Sequence, residues 1–475
     1  MHKKCFKLLA AFVSMICFTS AQAAAVAPEQ LPLNEKLVRN INRQLHAGLP
    51  SKDPVKVLRA FSAKYRPALL ERFLKYVSYN RQSSETEQIT PDQIETAQKL
   101  YTEIKAMGLN VTLTPHHYLF VEIPSNLNYP VPVLGYSAHY DVTPGIEAND
   151  VQARVIKKYD GKPIVLENNQ IIDPAQPNGA YLPTQIGKIV VTSDGNTILG
   201  ADDGAGLSVL MTFMQTLAEN PTRPHGTIQI VLAPNEDVGR AAEFVEETPY
   251  RPEIAFDFDG GSDGRVIVEN FNARQEIFTV TGVPGHQSYA ATNGYRNAWT
   301  PACELGAAIC PEELMPNFSQ GRAGYAELHH MSAPGGKVSM AELDIRHRGF
   351  DTKVMNDWEQ YADQKAAEIA EKYQVNIERK MIDNYKNVAE CAHPNALEIT
   401  ENAFRNAGVK INIQTARAGT TAAMFVTKGL VGAYTIFTGQ NNPHNYTEWL
   451  SEEDMYHSYL LSLSILDEVA KQSKK

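Results

Sequence analysis

Short apolar runs alternate with helical patterns along this chain, and several of the runs end close to a histidine or a carboxylic acid. Strands that alternate with helices are typical of an α/β sheet. Ligands bind beyond the carboxyl ends of the strands in such sheets, so these polar residues predict one site built from distant segments. The runs and the residues that follow them are 131–136 with His139 and Asp141, 227–233 with Glu236 and Asp237, and 254–256 with Asp257 and Asp259.

Helical spacing of apolar residues accompanies these runs. It extends over residues 31–105, where we expect helices, and it returns at 207–217, 395–407 and 455–469. The predicted fold class is therefore α/β, with a mixed sheet flanked by helices.

The chain has 475 residues, more than one compact core accommodates, which predicts two domains or one domain with an insertion. From about residue 270 the pattern changes to alternating runs and then a helix, which predicts a smaller inserted α+β domain. The predicted divisions are 1–23 as a signal peptide, 24–65 as an N-terminal extension, 66–265 as the first part of the main domain, 266–388 as the insertion and 389–475 as the second part.

The first residues resemble a secretory signal. Three lysines lie within residues 1–7, an apolar run follows over 8–18, and a small-residue stretch ends in A-x-A at Ala23. This pattern predicts cleavage after Ala23 and a periplasmic or secreted protein without stable membrane insertion. The alternatives are a lone membrane anchor or a lipoprotein through Cys17, although the residues before Cys17 are not small.

Charge and cysteine content narrow the class of protein. The formal charge is −10, and loss of the three lysines moves it to −13, so nucleic acid and anionic membranes are poor partners. Three cysteines lie beyond the predicted signal. In an oxidising compartment Cys303 and Cys310 could form a local disulfide, and the alternative is that both, with Cys391, stay unpaired.

Individual polar residues suggest a metal site. A neutral imidazole at His139 can bind a divalent metal while Asp141, two residues on, holds the ring through its other nitrogen. Asp202 opens a predicted helix, where its two oxygens can bridge two cations or simply cap the helix. Asp259 and His444 are candidate ligands, with an ordinary turn or loop residue as the alternative.

Glu236 and Asp237 are adjacent acids that follow the wholly apolar end of a strand. Like charges at a buried strand end are costly unless a cation or a proton is present. One acid can then ligate metal while its neighbour takes a proton from water, and a solvated turn is the alternative. Together with the histidines, these acids are suitable ligands for two zinc ions that share one carboxylate and one water.

Six segments resemble, in order, the two-zinc metallopeptidase family that contains tripeptide aminopeptidases of the peptidase T type, dipeptidases and glutamate carboxypeptidases. The resemblance extends over about residues 65–470 and implies a zinc-exopeptidase-like fold whose inserted domain serves as a lid or for dimerisation. The segments are 137–144, 192–203, 234–239, 259–261, 269–273, and His444 with Glu448.

The resemblance assigns roles to the metal-site residues. His139 and Asp259 would hold one zinc ion, while Asp237 and His444 would hold the other. Asp202 would bridge the two ions. The catalytic residues would be Asp141, which orients His139, and Glu236, which acts as general base and later as proton donor.

The resemblance also implies substrate contacts. His286 would help to stabilise the oxyanion, and Arg348 would grip a peptide carboxylate. Asn297, Gly419 and Thr420 are further candidates.

The implied activity is release of the N-terminal residue from short peptides, including tripeptides, by a zinc-activated water. The same ligands could take cobalt or manganese, and the family allows a homodimer through the insertion. The alternatives are a dipeptidase, carboxypeptidase or deacylase of the same superfamily, or a non-catalytic metal-binding or peptide-binding relative.

Three short motifs of the chain depart from the family pattern, and the cysteine-bearing segment 300–319 differs from it as well. A usual Glu-Glu is Glu236 with Asp237, an Asp-Asp-Lys is residues 202–204 with glycine last, and an Arg-Gly-Gly-Thr-Asp is residues 417–421 with Thr421 last. The last change removes a carboxylate near the implied substrate pocket, so it affects the expected preference for tripeptides more than the chemistry.

Overall fold

The computed structural model of the protein describes residues 52–472, and the predicted signal peptide and residues 24–51 lie outside this range. The described chain divides into two compact units. The larger unit comprises residues 52–269, 388–416 and 420–472. The smaller unit comprises residues 270–387 and 417–419.

The helices and strands follow one another through both units. The helices are α1 (Lys52–Ser62), α2 (Arg66–Val77), α3 (Pro91–Ala106), α4 (Ala201–Glu219), α5 (Ala290–Asn293), α6 (Trp299–Ile309), α7 (Thr352–Tyr373), α8 (Ala396–Ala407), α9 (Thr421–Val426) and α10 (Glu452–Val469). The strands are β1 (Val111–Leu113), β2 (Leu119–Ile123), β3 (Leu134–His139), β4 (Arg154–Ile156), β5 (Ile164–Val165), β6 (Ile171–Ile172), β7 (Val190–Thr192), β8 (Ile228–Ala233), β9 (Ile254–Gly260), β10 (Arg265–Asn270), β11 (Asn272–Thr281), β12 (Tyr325–Ser332), β13 (Met340–Gly349), β14 (Asn376–Tyr385), β15 (Asn412–Ala416), β16 (Ala433–Phe437), β17 (Gln440–Asn441) and β18 (Trp449–Ser451).

A mixed eight-stranded sheet of order β1-β2-β8-β3-β9-β16-β10-β15 organises the larger unit. The neighbours β8, β3, β9 and β16 run parallel, whereas β2 and β10 pair antiparallel with this group. Strands β3 and β8 are buried along their whole length, which explains why their sequences are mostly apolar without strict alternation. The predicted α/β mixed sheet flanked by helices is confirmed.

Helix α4 is the central helix of the larger unit. Nearly all of its side chains are buried, and it packs against β3, β9, α2 and α10. A helix that is apolar on all sides is stable only where every face is covered.

The predicted helices over residues 31–105 are interrupted. Helices α1 to α3 form, but residues 78–90 do not continue the helical path. Thr90 and Gln93 form a capping box and Pro91 occupies the first turn of α3, so a new helix begins there. Before that start the backbone pairs instead with a loop, through a hydrogen bond from Ser83 N to Val142 O (2.9 Å).

A small antiparallel sheet of order β17-β18-β7-β4 and the hairpin β5-β6 also belong to the larger unit. The sequence patterns did not predict them, because each strand has only two or three residues. This small sheet matters for the site, since the chain between β17 and β18 carries His444.

The smaller unit is an antiparallel sheet of order β12-β13-β11-β14. Alternate residues of β11 and β13 are buried, and they form an apolar core with α6 and α7 that includes Phe278, Leu343 and Trp358.

The expected disulfide is wrong. Cys303 lies within α6 and Cys310 directly follows it, and both thiols are free, as is that of Cys391. Seven residues along a helix separate Cα atoms by about 10 Å, beyond the reach of a disulfide. Cys310 is buried and Cys303 exposed, so the two side chains also have different surroundings.

In the described part of the chain, no helix combines the length and apolar character that a membrane span requires.

Candidate metal centre

The candidate metal ligands lie at one edge of the large sheet. Strands β3, β8 and β9 are parallel neighbours, so their carboxyl ends meet there. His139 is the last residue of β3, Asp259 is the penultimate residue of β9, and residues 234–237 follow β8. The topology therefore brings together side chains that are far apart in sequence.

Hydrogen bonds from two neighbouring segments fix the turn after β8. Asn235 has a left-handed backbone (φ 59°), and its side-chain amide bonds Gln88 and Gln93. Asn adopts this conformation more readily than most residues. The Asp141 carboxylate then accepts hydrogen bonds from the backbone N of Glu236 (3.0 Å) and of Asp237 (3.2 Å).

Asp202 does not cap α4. Its φ and ψ (−82°, 110°) are non-helical, the Asp202–Asp203 peptide is cis, and the residue at the N-cap position is Gly200, without a side-chain cap. The Asp202 carboxylate is thus free of the capping role. Its two oxygens face two histidines: Oδ1 lies 3.1 Å from His139 Nε2, and Oδ2 lies 3.2 Å from His444 Nε2.

Two groups of donor atoms share Asp202. His139 Nε2 lies 3.8 Å from Asp259 Oδ1 and 3.9 Å from Glu236 Oε2, while His444 Nε2 lies 2.8 Å from Asp237 Oδ1. Two ligand atoms on one tetrahedral zinc ion lie about 3.3 Å apart. On the His139 side the observed separations lie below and above this value, and on the His444 side they lie at or slightly below it, so the donor set fits two adjacent cations.

Asp141 lies behind His139. Its Oδ1 is 3.3 Å from His139 Nδ1, without the alignment of a hydrogen bond, and both side chains are fully buried. A carboxylate in this place fixes which ring nitrogen faces a metal.

The electrostatics of this centre favour positive charge. Burial raises the pKa of Glu236 and Asp259 well above the usual range, and the neighbouring carboxylates add to the shift. Burial and the charge of Asp202 raise the pKa of Asp237 to about 6. Hydrogen bonds with Asp202 and Asp237 raise the pKa of His444 to about 11. The carboxylates therefore crowd one another unless protons or cations compensate them.

Several buried residues support the centre but were given no role from sequence. Glu448 accepts hydrogen bonds from Gly200 N (2.7 Å) and Asp202 N (3.0 Å), and burial raises its pKa to about 7. Asp203 accepts from Gly206 N (2.8 Å). Arg81 is also buried and contacts the same loops. The spacing of Glu448 four residues after His444 was a usable signal, whereas Arg81 follows a helix and carries none.

Three predicted substrate residues belong to the smaller unit, and each already has local partners there. His286 is exposed, and its Nδ1 accepts from Ser288 N (3.2 Å). Asn297 Oδ1 accepts from Trp299 N (2.7 Å) at the start of α6. The Arg348 guanidinium donates to two backbone carbonyls and lies 5.5 Å from the ring centre of Tyr385.

The two remaining candidates are adjacent in sequence but fall in different units. Gly419 belongs to the smaller unit, where a Cβ would lie 2.6 Å from the ring of Tyr385. Thr420 belongs to the larger unit and caps α9, since its Oγ1 accepts from Ala423 N (3.4 Å). At position 419 the close approach of the Tyr385 ring leaves room only for glycine.

The chain belongs to peptidase family M20/M25/M40, whose profile matches residues 192–468. Among similar proteins are the peptidase T of Listeria monocytogenes, 34% identical over 396 residues that span 82% of this chain and 95% of the relative, and the peptidase T of Halothermothrix orenii, 31% identical over 84% and 98%. These comparisons confirm the predicted resemblance, and the protein is a metal-dependent exopeptidase, a hydrolase of the metallo-aminopeptidase type.

Solved structures share the fold. The aminopeptidase PepT of Bacillus cereus superposes with a TM-score of 0.62 at 18% identity, over 86% of this chain and 99% of that one. A Bacillus subtilis protein described as a dinuclear metal binding peptidase of the M20 family superposes with a TM-score of 0.57 at 13% identity, over 86% and 99%.

The predicted periplasmic or secreted location is wrong. The peptidase T relatives are cytoplasmic enzymes, and they match this chain over most of its length. The signal-like pattern that suggested export lies in residues 1–23, outside the described part of the chain. A basic start followed by an apolar run is a compositional pattern, and composition alone does not establish export.

Proposed function

We propose that this exopeptidase uses two zinc ions to release the N-terminal residue from short peptides. The observation that carries the proposal is the Asp202 carboxylate, whose two oxygens face His139 and His444 from opposite sides at 3.1 and 3.2 Å. A carboxylate in that position is suited to bridge two cations. The B. subtilis relative described as dinuclear supports the same arrangement.

The residues present fit the two ions. His139 and Asp259 would hold one ion and His444 and Asp237 the other, with Asp202 between them. Aspartate at 237, where the family pattern has glutamate, still brings Oδ1 to 2.8 Å from His444 Nε2. The shorter side chain therefore does not remove the ligand. The same nitrogen and oxygen donors accept cobalt or manganese.

Glu236 is the proposed general base. Bound divalent cations supply Lewis acidity, which lowers the pKa of water and polarises a carbonyl. Glu236 is 12% exposed, its Oε2 lies 3.9 Å from His139 Nε2, and its backbone N is fixed by Asp141. A carboxylate held there takes the proton of the attacking water and returns it to the leaving amine.

The smaller unit supplies the proposed substrate contacts. Exposed His286 would stabilise the oxyanion, and Arg348 would bind the peptide carboxylate in place of its present backbone partners. Asn297, Gly419 and Thr420 are weaker candidates. Tripeptides are the proposed preferred substrates. A homodimer through the smaller unit remains a prediction.

The test is an assay of the purified full chain on a matched series of di-, tri- and tetrapeptides, each with a free and an acetylated N-terminus, with bound metal quantified in the same samples. The expected result is release of the first residue from free tripeptides, with zinc restoring activity after chelation. Cleavage of acetylated peptides at equal rates, or release of the C-terminal residue, would contradict the aminopeptidase assignment. One bound ion at full activity would contradict the two-ion site.

A further inference from the structure

Arg81 is a fully surrounded cation beneath the metal centre. It is 1% exposed, and among the described residues of the larger unit it is the only lysine or arginine that is buried. Burying a charge is costly unless it is well bonded, so such a residue implies a specific role.

The Arg81 guanidinium joins two loops. Its Nη1 donates to the carbonyl oxygens of Tyr140 (3.0 Å) and Asp141 (3.1 Å), and its Nη2 donates to that of Gly200 (2.6 Å). The first loop directly follows His139, and the second directly precedes the residues that open α4. One planar group therefore fixes the spacing between the backbone of His139 and that of Asp202.

The main chain around Arg81 is fixed to the same loop. Val142 N donates to Arg81 O (3.2 Å), and the Gln82 amide donates to the carbonyls of Thr143 (2.9 Å) and Ile146 (2.6 Å). These hydrogen bonds fix the backbone at residues 81 and 82, and they thereby restrict where the Arg81 guanidinium can lie.

The charges that face Arg81 are carboxylates. Asp141, Asp203, Asp237 and Glu448 all act on it electrostatically. A permanent cation at this point offsets the mutual repulsion of the acids, whether or not metal is bound. A neutral side chain of the same length would leave that repulsion in place.

Gly204 makes room for Arg81. A Cβ at position 204 would lie 3.0 Å from Arg81 Nη2 and 3.2 Å from Val77 Cγ1. The same nitrogen lies 2.8 Å from a Cβ built on Gly200, whose φ is +71°. A side chain at 204 and the guanidinium at 81 therefore compete for one volume, and position 204 is one of those where this chain departs from the family pattern.

We propose that Arg81 is a positioning residue of the metal centre, which ties the His139 loop to the Asp202 loop and occupies the volume that a basic side chain at position 204 would otherwise fill. The inference rests on the proposed two-ion function. It predicts that a basic side chain at position 81 or at position 204 can support the centre, but that the fold cannot accommodate both at once.

The test compares variants of the full chain by zinc affinity, measured in competition with a chelator, by the Tm with and without zinc, and by kcat and KM. Arg81→Met removes the charge and the guanidinium but keeps an unbranched apolar stem. We expect zinc affinity to fall roughly 10- to 100-fold and kcat to fall with it, while KM changes less than about threefold. Arg81→Lys keeps the charge without the fork and should give an intermediate affinity.

The compensating variant is Arg81→Ala combined with Gly204→Lys. It should bind zinc at least about tenfold more tightly than Arg81→Ala alone, whereas Gly204→Lys in the native background should lower the Tm. Arg223→Met is the matched control, because Arg223 is a partly buried arginine that pairs with Asp467 (2.6 and 2.8 Å) away from the centre. It should lower the Tm and leave zinc affinity unchanged.

Two results would overturn the inference. One is an Arg81→Met or Arg81→Lys protein with native zinc affinity, and the other is a double variant no better than Arg81→Ala. If Arg81→Met does not fold, the lysine and double variants still decide the question. A native protein that zinc does not stabilise would instead refute the proposed function, so the two failures are distinguishable.

Discussion

Each unit buries a cluster of histidine and carboxylates, and the two clusters differ in the source of their positive charge. In the smaller unit donor atoms of Glu276, His347 and Glu359 lie within 4.8 Å of one another, as do those of two three-residue groups around His139 in the metal centre of the larger unit. In the smaller unit, however, Arg379 donates to Glu276 Oε2 (2.9 Å) and Arg274 to Glu359.

The histidines show the consequence. Burial, and then the charges of the nearby arginines, lower the pKa of His347 to about 3, so it stays neutral. His139 is equally buried, but the nearby carboxylates of Asp141 and Asp202 outweigh that burial and raise its pKa well above the usual value. Similar residue types thus form an ion network that two arginines neutralise in one unit. In the other unit the single buried arginine, Arg81, leaves acidic charge that external cations would compensate. A metal site cannot be recognised from ligand types alone.

The largest expected effect is on kcat, and it should be confined to the cluster in the larger unit. Glu236→Gln should lower kcat by a factor on the order of 10² to 10⁴ while bound zinc is retained, because the amide cannot accept the proton of water. Glu359→Gln, the matched change in the smaller unit, should leave kcat close to native. Steady-state kinetics with metal analysis on the same samples measures both. An active Glu236→Gln protein would show that the base lies elsewhere.

The next effect concerns metal content. His444→Ala should lose about half of the bound zinc and nearly all activity, since Asp237 and Asp202 alone hold an ion weakly. His347→Ala should retain the native zinc content, because its cluster is neutralised by Arg274 and Arg379. Elemental analysis after dialysis against a weak chelator distinguishes them. Loss of zinc from the His347 variant would mean that the smaller unit also holds metal, and the comparison would fail.

A third change tests the internal cations. Arg379→Met should lower the free energy of unfolding by about 3 kcal/mol, because it leaves the fully buried Glu276 without its partner. Lys353→Met removes a cation from an exposed pair with Asp357 and should have no measurable effect. Urea unfolding followed by tryptophan fluorescence reports both. Equal stability of the two variants would show that Glu276 stays protonated and needs no cation.

The smallest effect is a dependence of stability on pH. The folded pKa of His347, about 3, lies below its ordinary value of 6.5, so the unfolded chain binds a proton that the folded chain refuses. His347 therefore contributes full stability above pH 6.5 and loses it as the pH falls towards 3, by about 2 kcal/mol between pH 6.5 and 5. His347→Leu should flatten this part of the profile in urea titrations. An unchanged slope would assign the acid sensitivity to other groups.

The parts of the centre that could be predicted from sequence are those set by local order. His139, Asp259 and the pair Glu236 and Asp237 follow apolar runs, and parallel strands bring such ends to one edge. No structural knowledge beyond that rule was needed. His444 was different, because its loop lies between two very short strands. Its residue type made it a candidate, but only the resemblance to a family gave it a place in the ligand set.

Other features depend on tertiary contacts that no local pattern encodes. The Arg81 guanidinium donates hydrogen bonds to the carbonyl oxygens of Tyr140 and Gly200, and the residues next to Arg81 in sequence do not indicate these contacts. The disulfide failed for a related reason. The spacing of Cys303 and Cys310 suits a loop, but the segment is a helix, which points the two thiols to different surroundings.

The position of β16 affects how the protein can be made. This strand lies between β9 and β10, parallel to one and antiparallel to the other, although the whole smaller unit separates it from them in the chain. Until β16 has been synthesised, the sheet lacks an internal strand between β9 and β10 rather than an edge strand. A ribosome must therefore release the smaller unit and most of the remaining chain before β9 and β10 can be joined. A product truncated before β16 would expose unpaired backbone N–H and C=O groups along β9 and β10. We expect chaperones and proteases to act on such a product.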